Sequence, residues 1–153
     1  MALYLVQHGK SLSKNVDIHE GLSEEGVAEV KRIAGVAAQY GIKVSNILHS
    51  GKTRARQTAQ IFAASFNVGN EIEEIEGMKP LDDVVRFAEK INTSDNIMLV
   101  GHLPFLEKLT SYLVIGSGEQ SIFKFQNGGI VCLDKELDSQ SWIIKWALMP
   151  NIS

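Results

Sequence analysis

The alternation of short apolar runs with longer amphipathic stretches is the feature that most constrains how this chain can fold. Apolar or half-apolar runs of strand length occupy residues 2–6, 46–49, 71–75 and 96–100. Each is followed by a stretch with helical spacing, at residues 24–40, 53–66, 82–91 and from Pro104 onward. Four consecutive strand-helix units predict an α/β fold around a mainly parallel central sheet.

Local signals mark the ends of some of these elements. Ser23 followed by two glutamates is typical of a helix start, and Gly41 is placed to end the same helix. Three late strands are predicted at residues 122–125, 130–134 and 142–148. The Asn127-Gly128-Gly129 sequence indicates a turn between the first two. With helices on both faces of the sheet, the expected architecture is a three-layer α/β/α sandwich.

Size and composition limit the class of protein. The 153 residues, with 44% apolar and 22% charged content, suit one globular domain spanning residues 1–153. No segment approaches the ~20 apolar residues of a membrane span, and the early apolar run is too short for a signal peptide. The single cysteine, Cys132, cannot form an internal disulfide. We therefore expect a soluble cytoplasmic protein that does not act on membranes.

Charge is distributed unevenly along the chain. The formal net charge of -3 argues against nucleic acid as a partner. Acidic residues are absent from residues 1–16 and 30–70, whose cations include Lys10, Lys14, Lys52, Arg54 and Arg56. If the two stretches meet in space, an acidic protein carries a locally positive site. A solvated surface is the simpler interpretation for Lys10 and Lys14.

Residues capable of catalysis follow three of the predicted strands. His8 ends the first strand, Ser50 and Arg54 follow the second, and His102 ends the strand before Pro104. In open α/β sheets, ligands bind beyond the carboxyl ends of the strands. A lone histidine at a strand end is more often structural. Four such residues at the same edge indicate a site.

Three segments carry a family resemblance. LVQHG at residues 5–9 resembles the Arg-His-Gly signature of the histidine phosphatase superfamily, whose fold is phosphoglycerate mutase-like. SGKTRARQTA at residues 50–59 resembles the second, arginine-bearing motif, and LVGHLP at residues 99–104 resembles the third. The short chain, the LSEEG segment at residues 22–26 and the GHLP string are similar to the SixA-like phosphohistidine phosphatase branch. The resemblance covers roughly the first two thirds of the chain.

The resemblance implies roles for the site residues and no metal or cofactor. His8, as neutral imidazole, would attack phosphorus through one ring nitrogen, and water would then hydrolyse the phosphoenzyme. A backbone carbonyl is expected to hold the other nitrogen, and Gly9 would let backbone approach the phosphoryl oxygens. Arg54 would offer a planar fork to two oxygens, and His102 would donate to the equatorial oxygens. The Leu103 amide is expected to add a donor, and Ser50 to support Arg54 or phosphate.

Two departures from the family pattern bear on activity. Gln7 stands where the family has arginine, so a charged hydrogen bond of ~1.5 to 3 kcal/mol is replaced by a neutral one of ~0.5 to 1.5 kcal/mol. We expect phosphate binding to be weaker but the site to remain catalytically active, although Gln7 also suits a purely structural role. No general acid aligns with confidence, and Glu76, Asp82 and Asp83 are candidates by position only. A phosphoramidate needs such an acid less than an ester does, because protonated imidazole departs readily.

Three functional hypotheses follow. The preferred one is a phosphatase that hydrolyses phosphohistidine on proteins through a phospho-His8 intermediate, its partner being a phosphotransfer or histidine-kinase type protein. The connection from residue 66 to residue 71 leaves no room for a lid, and an open site suits a phosphorylated side chain. The alternatives are a weakly active or inactive module that binds phosphoproteins, and a generic phosphomonoesterase. Oligomeric state and the particular substrate protein are left open.

Overall fold

Six strands form one sheet, and helices cover both of its faces. The structure is a computed structural model that describes residues 2–68, 72–91, 96–139 and 141–152. The strands are β1 (Ala2–Gln7), β2 (Asn46–His49), β3 (Ile72–Glu74), β4 (Ile97–Gly101), β5 (Ile130–Lys135) and β6 (Trp142–Leu148). The helices are α1 (Glu24–Gln39), α2 (Thr53–Phe66), α3 (Val84–Ala88) and α4 (Phe105–Ile115). No helix within the described ranges has the length and apolar character needed to cross a bilayer.

The order of the strands brings the predicted site residues to one edge. The sheet runs β3-β2-β4-β1-β5-β6, with β1 to β4 mutually parallel and β5 and β6 added as antiparallel strands. The mainly parallel α/β sheet predicted from the alternation of elements is therefore confirmed. Because parallel strands end at the same edge, β1, β2 and β4 deliver the residues that follow them to neighbouring positions.

Two hydrophobic clusters, one on each face, fix the sheet between the helices. On one face, α1 and α2 contribute residues such as Ile33 and Phe62 and pack against Val6 and Val100. On the other face, α3 and α4 contribute residues such as Phe105 and pack against strand side chains that alternate with the first set. This arrangement is the expected three-layer sandwich.

The boundaries of α1 follow the capping chemistry predicted for it. The Ser23 hydroxyl accepts a hydrogen bond from the Gly26 amide at 3.0 Å, which satisfies one of the free donors at the helix start. The chain turns after the helix at Gly41, whose φ of +74° favours glycine. Helix α2 also has the predicted limits, from Thr53 to Phe66.

The third helix is shorter than predicted, because two carboxylates in its expected first turn bind backbone amides. Asp82 Oδ2 accepts from the Lys79 amide at 2.8 Å, and Asp83 Oδ1 accepts from the amides of Val85 and Arg86. Asp83 therefore caps α3, which begins at Val84 and ends at Ala88. The predicted strand at residues 71–75 is β3, Ile72–Glu74, and Glu71 lies outside the described residues.

The predicted strand at residues 122–125 is wrong. Within the described residues this segment pairs with no strand, and Phe123 and Phe125 instead pack against the cluster on the α4 side of the sheet. Phe125 is buried there, and its ring meets that of Phe123 edge-on at 5.6 Å between centroids. The segment is apolar because its aromatic side chains, carried by a loop, pack against the core.

Candidate active site

The backbone of His8 is held from both neighbouring strands. On the β4 side, the His8 amide donates to the carbonyl of Gly101 at 3.0 Å. On the β5 side, Asn127 Nδ2 donates to the His8 carbonyl at 2.9 Å, and the Gly128 amide donates to the Gln7 carbonyl at 2.8 Å. The residue after β1 is thus positioned by hydrogen bonds although it lies beyond the sheet.

The hydrogen bonds of the His8 ring define its tautomer. Nδ1 lies 2.7 Å from the carbonyl oxygen of Gly9, and Nε2 lies 3.3 Å from Nε of Arg54. A carbonyl oxygen accepts and an arginine N–H donates, so we assign the proton to Nδ1 and a lone pair to Nε2. The predicted backbone acceptor is Gly9. The ring nitrogen that faces Arg54 is therefore the nucleophilic one.

Gly9 has a packing reason to lack a side chain. A Cβ there would lie 2.7 Å from Cγ2 of Val30 in α1, too close for a real contact. Its amide donates to the Thr58 hydroxyl at 3.0 Å, and this hydroxyl in turn donates to the Arg54 carbonyl at 2.8 Å. Gly9 therefore packs closely against α1 and is anchored to α2, and approach of its backbone to the phosphoryl oxygens stays a prediction.

Arg54 lies in the first turn of α2, directly after a tight turn. Gly51 has a φ of +89°, a left-handed conformation that favours glycine. In the part of the chain that the structure describes, no side chain caps the start of α2, and the positive dipole end of this helix lies at the same sheet edge as Arg54. The Arg54 side chain is 18% exposed. Its Nη1 lies 3.6 Å from Oε2 of Glu20, a residue of the loop between β1 and α1.

His102 follows β4 and faces His8. The two ring centroids are 5.0 Å apart and the planes are tilted by 50°. His102 is 1% exposed, and its Nε2 lies 2.6 Å from the Ser50 hydroxyl oxygen. Among the described residues, Nδ1 of His102 has no hydrogen-bond partner. With its proton on Nε2, neutral His102 donates to the Ser50 hydroxyl oxygen and Nδ1 is left as a buried acceptor, whereas the other tautomer accepts from the Ser50 hydroxyl.

Burial keeps both imidazoles neutral. It lowers the pKa of His8, and the positive charge of Arg54 also lowers it, while the bond to the Gly9 carbonyl raises it. For His102, burial is the largest cause that lowers the pKa to about 3, followed by the charge that His8 would carry when protonated and by the charges of Arg54 and Lys52. His8 therefore has the lone pair that attack on phosphorus requires, and His102 is a neutral imidazole beside it.

The structure brings His8, Ser50, Arg54 and His102 together, as predicted. Gln7 lies beside them at the end of β1, and its Oε1 is buried without a hydrogen-bond partner in the described part of the chain. Leu103 follows His102, but its side chain packs into the cluster on the α4 side. Donation from the Leu103 amide to a ligand stays a prediction.

The carboxylates considered as general acids lie on a cavity of about 530 Å³ that also reaches Ser50. Glu76, Asp82 and Asp83 all line it. Asp82 and Asp83 bind backbone amides, as described above, which favours a structural role for both. Glu76 is exposed on this cavity. A role for Glu76 in protonating a leaving group stays a prediction.

The predicted cations divide into two sets. Lys10 forms ion pairs with Glu25 at 2.7 Å and Glu29 at 3.5 Å, so its charge is neutralised locally. Lys14 is exposed, and its Nζ lies 3.9 Å from Oε1 of Glu20. Arg56 is exposed on α2. Lys52 lies close enough to His102 to lower its pKa. The positive character of the site therefore comes from Arg54, Lys52 and the start of α2.

Sequence reasoning missed Thr58, Asn127 and Glu20. Thr58 is one helical turn after Arg54, so its position on the same face of α2 was available from the sequence. Asn127 was identified only as part of a turn, and its contact depends on the pairing of β5 with β1. Glu20 has no signal beyond being a loop acid. Among the described residues, no group of three or more metal-ligating side chains could hold a metal ion.

Comparisons with known proteins support one family. Residues 3–82, just over half of the chain, match the model of the histidine phosphatase superfamily, branch 1. The structure of the protein histidine phosphatase SixA complexed with tungstate is 19% identical with a TM-score of 0.82, covering 98% of this chain and 97% of that chain. A protein of Agrobacterium tumefaciens assigned as the phosphohistidine phosphatase SixA is 29% identical with a TM-score of 0.79, covering 97% of both chains. A protein of Escherichia coli K-12 assigned as an α-ribazole-5′-phosphate phosphatase is 17% identical with a TM-score of 0.75, covering 100% of this chain and 99% of that chain.

Proposed function

Because the chain belongs to the histidine phosphatase superfamily, we propose that it hydrolyses phosphohistidine on proteins through a covalent intermediate on His8. One observation carries the proposal. His8 Nε2 has a lone pair because Nδ1 donates to the Gly9 carbonyl, and this nitrogen faces the Arg54 guanidinium. A second imidazole, that of His102, lies 5.0 Å away between ring centroids. A nucleophile, a guanidinium and a second neutral imidazole thus lie next to one another.

In the first step, the phosphoryl group of the substrate takes the place of the contact between Arg54 and His8. The Nε2 lone pair forms a bond to phosphorus as the bond from phosphorus to the substrate nitrogen breaks, and the electron pair of that bond stays on the departing imidazole. The departing ring is already protonated on its other nitrogen, so it leaves neutral. Arg54 and the N–H of His102 stabilise the charge on the phosphoryl oxygens.

In the second step, water attacks phosphorus from the side that the substrate imidazole has left. A bond from water oxygen to phosphorus forms, and the bond to Nε2 breaks and returns its electron pair to His8. The proton lost by water stays on the phosphate product. Because Nδ1 keeps its hydrogen bond to Gly9 throughout, His8 regains the same tautomer for the next cycle.

A phosphoramidate substrate is favoured by the chemistry of the leaving group. Two of the three candidate acids, Asp82 and Asp83, already accept hydrogen bonds from backbone amides, which makes them poorly suited to protonate a leaving group. An imidazole leaving group needs no such acid, whereas an alkoxide does. The two SixA structures are consistent with this substrate class, and the α-ribazole-5′-phosphate phosphatase neighbour makes a phosphate ester the competing possibility. The partner we propose is a cytoplasmic phosphotransfer or histidine-kinase type protein.

Turnover of two substrates tests the proposal. Phosphate release from a phosphohistidine peptide and from an aryl phosphate is measured under the same conditions. We expect the peptide to have the higher kcat/KM. If the protein cleaves only the aryl phosphate, it is a phosphomonoesterase and the proposed phosphohistidine activity is wrong.

A binding module is the second candidate, and Gln7 favours it. The missing arginine removes one charged contact to phosphate, and the carboxylate of Glu20 beside Arg54 removes further positive potential. A module of this kind binds phosphate or tungstate in calorimetry and releases no phosphate from either substrate. Detectable release of phosphate from the phosphohistidine peptide would show that the protein is an enzyme and not only a binding module.

Replacing Gln7 by arginine is expected to raise kcat/KM by roughly 5-fold, because a charged hydrogen bond to phosphate is worth about 1 kcal/mol more than a neutral one. The side chain has an unpaired buried oxygen in the described structure, so the substitution removes no existing bond from that atom. Steady-state kinetics with the better substrate checks the change. An unchanged or lower kcat/KM would mean that Gln7 belongs to a differently arranged site.

The site is expected to lose its neutral His8 at a pH below 6.5, the ordinary pKa of histidine. Protonation of His8 removes the attacking lone pair, and since burial lowers its pKa, loss of the neutral form requires a pH below 6.5. His102, with a pKa of about 3, is expected to stay neutral throughout this range. Titration of the imidazole resonances by NMR measures both. A His8 midpoint at or above 6.5 would contradict the assigned environment.

A further inference from the structure

Glu20 approaches the site from the loop between β1 and α1. Its Oε2 lies 3.6 Å from Nη1 of Arg54, and the two side chains are only 26% and 18% exposed. Arg54 in turn donates through Nε to the nucleophilic nitrogen of His8. An anion therefore lies against the guanidinium that is expected to hold the phosphoryl group. Water screens this partly buried pair less than it screens an ion pair on the surface.

The backbone of Glu20 is left-handed and firmly fixed. Its φ is +49°, a region that residues other than Gly, Asn and Asp seldom adopt. The Asp17 carboxylate accepts from the amides of His19 and Gly21, at 3.0 and 2.9 Å. The Leu22 amide donates to Gln57 of α2 at 2.7 Å, which ties the loop to the helix that carries Arg54. Strained residues held in this way are concentrated at functional sites.

The charge of Glu20 acts in the same direction as the substitution at position 7. Gln7 supplies no positive charge, and Glu20 supplies a negative one beside the remaining arginine. Any anion that binds Arg54 must compete with this carboxylate or bind next to it. The electrostatic penalty grows with the net charge of the incoming group.

We propose that Glu20 is a specificity-determining and positioning residue that competes with phosphoryl oxygens for Arg54 and so disfavours dianionic phosphates. A phosphohistidine whose other ring nitrogen is protonated carries a positive ring next to its phosphoryl group, so its net charge is one unit less negative than that of a monoester dianion. It is therefore repelled less by the Glu20 carboxylate. In this way Glu20 favours phosphorylated nitrogen over phosphate esters and over free phosphate, an inference that rests on the proposed function.

Substituting Glu20→Gln tests the inference, with Glu25→Gln as the matched control. Gln keeps the size of the side chain and removes its charge, while Glu25 is an exposed carboxylate whose partner is Lys10, not Arg54. Tungstate affinity is measured by calorimetry, and KM and kcat are measured for an aryl phosphate and a phosphohistidine peptide. We expect E20Q to bind tungstate roughly 5-fold tighter and to lower KM for the aryl phosphate similarly, with less effect on the peptide. Because Glu20 acts on binding, kcat should change little.

A second variant separates charge from structure. Glu20→Asp keeps the charge and tolerates the left-handed backbone, so its tungstate affinity should stay within about twofold of the original protein. Equal changes in E20D and E20Q, or no tightening in E20Q, would overturn the inference. An equal gain for both substrates would overturn the specificity claim.

The two proposals fail in different ways. If the unsubstituted protein hydrolyses neither substrate, the proposed function fails. The tungstate measurement with E20Q needs no hydrolysis, so it still decides whether Glu20 competes for Arg54.

Discussion

Replacing His8 by alanine is expected to reduce phosphate release by at least about 10³-fold, because the covalent route then has no nucleophile. Arg54, Ser50 and His102 remain, so the variant should still bind tungstate. The hydrogen bonds that position this residue come from its backbone amide and carbonyl, and alanine keeps them. We therefore expect little loss of folding stability. Parallel measurements of turnover, tungstate affinity and thermal unfolding check all three statements.

His19→Ala is the matched control for His8. His19 lies in the loop after β1, is exposed, and is not among the side chains that meet at the site. Its turnover should equal that of the unsubstituted protein. The intermediate offers an independent test, since a rapid quench should trap a phosphoryl group on His8 that is labile in acid and stable in alkali. An H8A variant that keeps a substantial part of its turnover would refute the covalent mechanism.

Replacing Arg54 by lysine is expected to lower kcat/KM by about 10²-fold, although the charge is kept. The planar guanidinium presents several N–H groups to the phosphoryl oxygens at once, and a lysine ammonium cannot reproduce this geometry. Thr58 bonds to the backbone carbonyl of residue 54, so this contact should persist in the variant. The loss should therefore lie in phosphate binding and transition-state stabilisation.

Arg56→Lys is the matched control for Arg54. It makes the same substitution two residues later in α2, at an exposed position. Its kcat/KM should stay unchanged. Equal losses in R54K and R56K would show that general positive potential, and not the Arg54 fork, holds the substrate.

The central part of the fold could be predicted because its signals are local. The apolar run of β1, the Ser23 cap of α1 and the stripe of α2 each depend on residues a few positions apart. Helix α3 begins later than predicted because Asp82 and Asp83 use their side chains to bind the backbone, which residue spacing does not reveal. Residues 122–125 look like a strand in the sequence because Phe123 and Phe125, which lie in a loop and pack against the core, give the same apolar pattern as a buried strand.

The candidate site divides in a similar way. His8, Arg54 and His102 could be grouped from the sequence because parallel strands end at one edge, whatever the path of the loops. The partner of Glu20 depends on a left-handed turn and on the anchoring of the loop by Gln57, which spacing cannot indicate. The hydrogen bond from Asn127 depends on how β5 pairs with β1.

The hydrogen bond from Asn127 to the His8 carbonyl connects residues 119 positions apart. A partly folded chain that has formed β1, β2 and β4 but not β5 already has its reactive side chains at one edge of the sheet. In that state the His8 carbonyl still lacks its hydrogen bond from Asn127. Contacts between such distant segments form slowly. During refolding, we therefore expect phosphatase activity to recover after the helices have formed. Recovery of activity would indicate that β5 and β6 have paired with the sheet.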